Sequence, residues 1–322
     1  MLVESVPNYS EGRRIDVVDR LANAVHGVDG AYLLDRTSDP SHNRCVLTLA
    51  GESPGVEQAL ERTIEIAIET IDMEAHTGEH PRIGAVDVIP FVPLGSASIE
   101  DAVQLARSFG ARIAQRFELP VYLYARAATR PDRIRLADVR RGGYEAVRDE
   151  IVDGAFDRAP DFGPHRVHPR AGAVAVGARP FLIAWNINLD TGDVEIAKRV
   201  ARRVRESGGG LPAVQGNGFR IEELDAAQVS MNLLDFEATP MWRVFDEVRR
   251  LAAEEGAGIR ESELIGLAPQ AAFDAVARHA GGGDDVGAEG RFAAAAAYLQ
   301  LRDAQPSMVL EQRLAAARAS SG

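Results

Sequence analysis

Cysteine is nearly absent: among 322 residues only Cys45 carries a thiol. No internal disulfide can form, and a zinc cluster with several cysteine ligands is excluded. Cys45 lies in the apolar run Cys45-Val46-Leu47-Thr48-Leu49, the setting of a buried small hydrophobe rather than of a reactive thiolate. Lysine is equally scarce. Lys198 is the only one among 36 basic residues, so cationic work falls to arginine and a lysine Schiff base is disfavoured. Basic charge is also outweighed, since 48 acids leave a net charge of −12 and a pI of about 5.1. A nucleic-acid partner needs a basic face to neutralise phosphates, so none is expected. A local basic pocket for a small anion is still compatible with this balance. No apolar run approaches the length of a membrane span, and residues 1–7 lack the basic flank and long apolar core of a signal peptide. A cytoplasmic protein without a membrane partner is expected. The chain also lacks a Gly-rich phosphate loop ending in Lys-Ser/Thr, and a G-x-G-x-x-G opening a helix after a strand.

What is present is the composition of a soluble globular protein, 46% hydrophobic and 26% charged. At this length two domains are the default. Alternating and helical hydrophobic periods place a strand at 2–6, a turn at 7–12, a helix at 13–25 and paired strands at 31–36 and 44–49. A helix at 54–71 and a strand at 86–92 follow, then a helix at 99–117 and a strand at 121–124. An arginine-rich cover at 125–141 precedes a short helix at 144–153. The second half reads strand 181–189, helix 194–206, strands 213–221 and 227–236, helix 240–255 and strand 259–267. Helices at 269–279, 291–302 and 308–318 close the chain. Both halves therefore have the β-α-β-β-α-β order of a ferredoxin-like unit. The fold class is α+β, with two tandem ferredoxin-like subdomains at 1–178 and 179–322.

Two stretches carry concentrated chemistry. Residues 76–88, His-Thr-Gly-Glu-His-Pro-Arg-Ile-Gly-Ala-Val-Asp-Val, form a polar loop between a helix and an apolar strand. Read on its residues alone, it is either an ordinary connection with a surface histidine or a catalytic loop. Because an unperturbed histidine titrates near neutral pH, His80 is the natural general base, and Asp39 or Glu79 the carboxylate to orient it. Other loops of the first half offer Asn8, Ser10 and Glu11, and His42, Asn43 and Arg44. His76 and His80 have metal-chelating spacing, but Gly78 between them and Pro81 after them oppose a helix, and no metal is expected. The second stretch, 157–177, has three prolines and two histidines between 158 and 172. It is either an interdomain linker or a binding loop, since structureless loops this long are uncommon.

Taken together the motifs resemble those of the glutamate formiminotransferase family. The resemblance runs through Val6-Pro7-Asn8-Tyr9-Ser10-Glu11-Gly12, Gly78-Glu79-His80-Pro81-Arg82-Ile83-Gly84-Ala85 and Asp87-Val88-Ile89-Pro90-Phe91. It continues through Pro120-Val121-Tyr122-Leu123-Tyr124, Ala159-Pro160-Asp161-Phe162-Gly163-Pro164 and Gly177-Ala178-Arg179. Asn186-Ile187-Asn188-Leu189 and the run from Gln228 to Glu237 complete it. The resemblance implies two ferredoxin-like halves whose sheets face one another across a charged tunnel. It implies transfer of a formimino group from N-formiminoglutamate to N5 of tetrahydrofolate, a co-substrate, in histidine breakdown. His80 would be the catalytic base. The folate segment would be Gly163, Pro164, His165, Arg166, Val167, His168, Pro169, Arg170, Ala171 and Gly172. Asp39, Asn43, Arg44, Glu79, Arg82 and Arg179 would support the substrates. The family also assembles, so a homodimer is expected.

Three positions depart from the family pattern. Thr77 stands where a basic residue such as lysine is frequent, Val174 where a threonine is usual, and Met231 where a small polar residue is usual. Two rival activities remain to be separated by assay: formyl transfer involving N-formylglutamate or 5-formyltetrahydrofolate, and folate binding without turnover.

Overall fold

A computed structural model of the chain describes residues 1–79, 81–152, 158–282 and 286–320. Met1–Arg179 and Pro180–Ala319 form two compact units. The first is built on β1 (Leu2–Ser5), β2 (Asn8–Tyr9), α1 (Ile15–Asn23), β3 (Ala31–Asp39), β4 (Arg44–Glu52) and α2 (Ser53–Thr70). It continues with β5 (Val86–Pro93), α3 (Ile99–Phe117), β6 (Val121–Ala125), α4 (Leu136–Val139), α5 (Gly143–Val152) and β7 (Val174–Ala178). Its seven strands make one sheet, in which β3 pairs with β4, β4 with β1 and β2, these with β5, and β5 with β7 and then β6.

Alternation along the strands sorts side chains between two faces. Val121, Leu123, Val174, Val176, Ile89 and Phe91 join the main core beneath α1, α2 and α3. Tyr122, Tyr124, Ala175 and Val88 point the other way, into a smaller core closed by Val139, Val147 and Ile151 of α4 and α5. A Ser98–Asp101 capping box starts α3, each side chain satisfying the other residue's backbone N–H. Proline is unusual in a central strand because it cannot donate to the ladder. Pro90 is accommodated because it lies opposite the break between β1 and β2, between the Ser5–Phe91 and Asn8–Val88 pairs.

Two features of this unit differ from the sequence reading. Asn8–Tyr9, expected in a turn, is a strand that completes the row begun by β1. Val174–Ala178, most of which falls at the end of the stretch read as linker or binding loop, is β7, parallel to both β5 and β6. Both are short, and both are strands only by virtue of partners far away in sequence.

The second unit comprises β8 (Ile183–Leu189), α6 (Val194–Val204), β9 (Val214–Ile221), β10 (Ala226–Leu233), α7 (Met241–Glu254) and β11 (Ile259–Ile265). It ends with α8 (Gln270–His279), α9 (Ala288–Tyr298) and α10 (Leu310–Ser320). Its sheet runs β11-β8-β10-β9 and is antiparallel throughout. Counted from the first strand that is order 4-1-3-2, the split βαβ arrangement expected from the element order. Trp185 is fully buried and stacks on Phe245 of α7 at 5.9 Å. Among the described residues no helix is long and apolar enough to cross a membrane.

Candidate active site

A small cleft opens in the first unit where β2, the β3–β4 turn and the loop after α2 meet. Asn8, Ser10, His42, Asn43, Arg44, His76, Arg82 and Asp87 line it. The turn is shaped by Asp39. One carboxylate oxygen accepts the N–H groups of Ser41 (2.8 Å) and His42 (3.0 Å), and the other meets His42 Nδ1 at 2.7 Å. The His42 backbone and ring hold Asp39 below the usual carboxylate range. Asn43 then takes a left-handed conformation (φ 48°), which asparagine tolerates better than most residues. Its Oδ1 accepts from Gly12 N (3.0 Å) and its Nδ2 donates to Thr77 O (2.9 Å). Asn43 thereby joins the loop after β2, the β3–β4 turn and the loop after α2. That joint is tight enough to need glycine, since a Cβ on Gly78 would lie 2.3 Å from His42 O.

His76 and Arg82 brace the same loop. His76 Nε2 donates to Asn43 O (3.1 Å), while its Nδ1 accepts from Arg82 Nε (3.2 Å). Arg82 also donates to His76 O at 3.2 Å and forks Glu145 at 2.8 and 3.0 Å. Burial, and then the Arg82 charge, push the His76 pKa down against the pull of the Asn43 carbonyl. These partners select a neutral, Nε2-protonated His76, whose work is structural. His80, the expected base, lies outside the described residues. Glu79 beside it is exposed.

Asp87 occupies a β-bulge. Asn8 pairs with Val88 but Tyr9 pairs with Val86, so Asp87 is the extra residue on β5. Bulges re-aim side chains, and this one brings a 2% exposed carboxylate to the cleft wall. Its Oδ1 accepts the Ile83 N–H (2.9 Å) and its Oδ2 is paired with Arg140. Arg44, on the adjoining wall, donates to Asn8 Oδ1 instead. Burial foremost, then the nearby Arg140 charge, lower the Arg44 pKa, with Asp87 opposing.

The 163–172 loop is stitched to the loop preceding β5. Ala85 N donates to Ala171 O (2.9 Å), Ala173 N to Ile83 O (3.0 Å) and Met73 N to Arg170 O (2.8 Å). Gly84 and Gly172 pair across this seam, and a Cβ on Gly84 would fall 1.9 Å from Ala173 O. Within the loop, His168 and Gly172 exchange backbone bonds at 2.9 and 3.0 Å. His168 Nδ1 accepts the N–H groups of Arg170 (3.2 Å) and Ala171 (3.0 Å). Arg166 is exposed and only 3.5 Å from the equally exposed Glu118.

Of the residues singled out from sequence, Asn43, Arg44 and Arg82 line the cleft, and Asp39 reaches it through His42. Gly163–Gly172 adjoins it through the Gly84 seam. Arg179, just past β7, donates its backbone N–H to Phe91 O (3.1 Å), and its side chain bonds to Tyr124. Asp87 and Arg140 were not picked out as functional. A lone acid inside an apolar strand is a signal for Asp87; Arg140 was hidden in its arginine-rich stretch. The departure at Thr77 is partly offset, since Arg13 Nη1 approaches Thr77 Oγ1 at 3.4 Å and brings a cation there. Val174 and Met231 are 1% and 2% exposed and serve packing. Among the described residues no group of three or more His, Cys, Asp or Glu side chains is arranged to hold a metal.

Residues 2–179 match the model of the formiminotransferase domain, N-terminal subdomain, and residues 184–281 that of the formiminotransferase domain. The chain belongs to the formiminotransferase family. Within that family it is 42% identical to a glutamate formimidoyltransferase of Thermoplasma acidophilum, over 97% of both chains. It is 41% identical to one of Streptococcus pyogenes, over 86% of this chain and 92% of that one. It is 44% identical to the mouse formimidoyltransferase-cyclodeaminase over 86% of this chain, but over only 52% of that longer protein. The family assignment makes the chain an enzyme of the transferase class.

Proposed function

We propose that the chain moves the formimino group of N-formimino-L-glutamate to N5 of tetrahydrofolate, giving L-glutamate and 5-formiminotetrahydrofolate. The observation that carries this is the family match to both subdomains, together with 41–42% identity to two enzymes named for glutamate formimidoyl transfer. The reaction is proposed to serve histidine degradation in the cytoplasm, and the enzyme to be a dimer.

The chemistry suits the residues without a metal. The formimino group is cationic at neutral pH, so its carbon is already electrophilic. N5 attacks that carbon and must lose its proton as it does so. We assign His80 as the base that takes this proton and returns it to the glutamate nitrogen, which leaves as the C–N bond breaks. The ionised Asp39, held with His42 beside the cleft, would offset positive charge on the adduct nitrogens. The loop at Gly163–Gly172 is assigned to the folate, and its seam to residues 83–85 supports that role by tying it to the segment that follows His80.

Supplying N-formiminoglutamate and N-formylglutamate side by side with tetrahydrofolate, and following the folate ultraviolet spectrum, tests the assignment. Turnover of the formimino donor alone is the expected outcome. Preference for the formyl donor, or folate binding with turnover of neither, would overturn it.

A further inference from the structure

Three arginines of the first unit near the cleft are each neutralised by a carboxylate. Arg82 is forked by Glu145, Arg140 is paired with Asp87 and Arg14 with Glu11. Arg44 has no carboxylate within ion-pair distance among the described residues. Its hydrogen-bond partner is the neutral Oδ1 of Asn8, whose amide is turned that way because its Nδ2 donates to Val6 O (2.9 Å). The Arg44 Nε is buried without a partner. The nearby acid cannot serve it, because Asp87 spends one oxygen on Ile83 N–H and the other on Arg140.

A largely desolvated guanidinium whose charge no carboxylate offsets is costly unless an anion completes it. The cost is built in: Asn8 orients Arg44, and Arg140 keeps Asp87 from neutralising it. A planar guanidinium of this kind matches a carboxylate.

Resting on the transfer reading above, we propose that Arg44 binds the α-carboxylate of the formiminoglutamate donor, with Asn8 and the Asp87–Arg140 pair as positioning residues. The choice among carboxylates follows from bond counting. The donor's α-carboxylate hangs on the carbon that bears the leaving nitrogen, so it must lie beside the reacting centre. The carboxylates of the folate tail lie beyond the p-aminobenzoyl ring. Arg44 directly follows Asn43, whose side chain and carbonyl hold Thr77 and His76, a few residues ahead of His80.

The test compares the wild type with Arg44→Gln and Arg44→Lys, using the parent donor and two analogues in which either the α- or the γ-carboxylate is a carboxamide. The wild type should lose about 30-fold in kcat/KM on the α-amide, the scale of a hydrogen bond to a charged group. Arg44→Gln should treat the parent donor and the α-amide alike, and still discriminate against the γ-amide. Arg44→Lys should fall between, which separates lost recognition from lost folding. The KM for tetrahydrofolate should hold in both variants. An Arg44→Gln enzyme that keeps its preference for the α-acid, or loses γ-discrimination instead, overturns the assignment. A wild type inactive on the parent donor overturns the transfer reading itself.

Discussion

His76, in the polar loop after α2, is held between the Asn43 carbonyl and the Arg82 guanidinium. That the loop concentrates chemistry was legible, because glycines flank histidines, acids and an arginine. How the side chains divide the work was not. Arg82 reads as a ligand for substrate, and in the fold it also engages Glu145 and His76. Asp87 looks like a strand residue, but a bulge sets it against Arg140. These pairings depend on α5 and on the end of α4, more than fifty residues away in each case. The neutral His76 has a measurable consequence. Its folded pKa lies below the unfolded value near ~6.5, so the unfolded chain binds the extra proton first. The His76 contribution to stability is therefore present above that value and lost as pH falls through the folded one. Urea unfolding between about pH 5 and 7.5, the range in which an ordinary histidine titrates, should show stability falling toward acid, and His76→Gln should reduce the slope. An unchanged slope in that variant would mean that His76 is not held neutral.

At the scale of elements, the long amphipathic helices α2 and α3 and the strands β8 and β10 were legible, because their apolar residues are dense or recur with a clean period. β2 and β7 were not. Asn8–Tyr9 is too short to show a period, and Val174–Ala178 is a strand because β5 and β6 flank it. The 163–172 loop was legible as something other than helix or strand from its prolines. Its shape rests on His168, whose Nδ1 accepts two backbone N–H groups and so must be unprotonated. Burial lowers the His168 pKa; the Arg170 charge acts the same way and Glu118 opposes it. An asparagine places an acceptor oxygen where His168 has Nδ1. His168→Asn should therefore keep the loop, whereas His168→Ala should raise the KM for tetrahydrofolate about tenfold, the cost of roughly one such bond, with kcat little changed. The wild type should lose folate affinity at acid pH and the asparagine variant should not. If alanine and asparagine behave alike, His168 acts by some means other than holding the turn.

For the whole molecule, the repeat of β-α-β-β-α-β was the most legible feature, since it needs only the order of elements. It is seen directly in the second unit and, with added strands, in the first. The acidic balance of −12 described the bulk of the surface and gave no view of the arginines gathered near the cleft. The proposed reaction is transfer of a formimino group with His80 as the base. Single-turnover mixing of the purified protein with tetrahydrofolate and N-formiminoglutamate, for the wild type and for His80→Ala, tests it most directly. The wild type should form 5-formiminotetrahydrofolate promptly. The His80→Ala protein should still bind tetrahydrofolate but form product at least about a hundredfold more slowly, the scale of a lost general base. Product formation by His80→Ala at the wild-type rate would rule out His80 as the base.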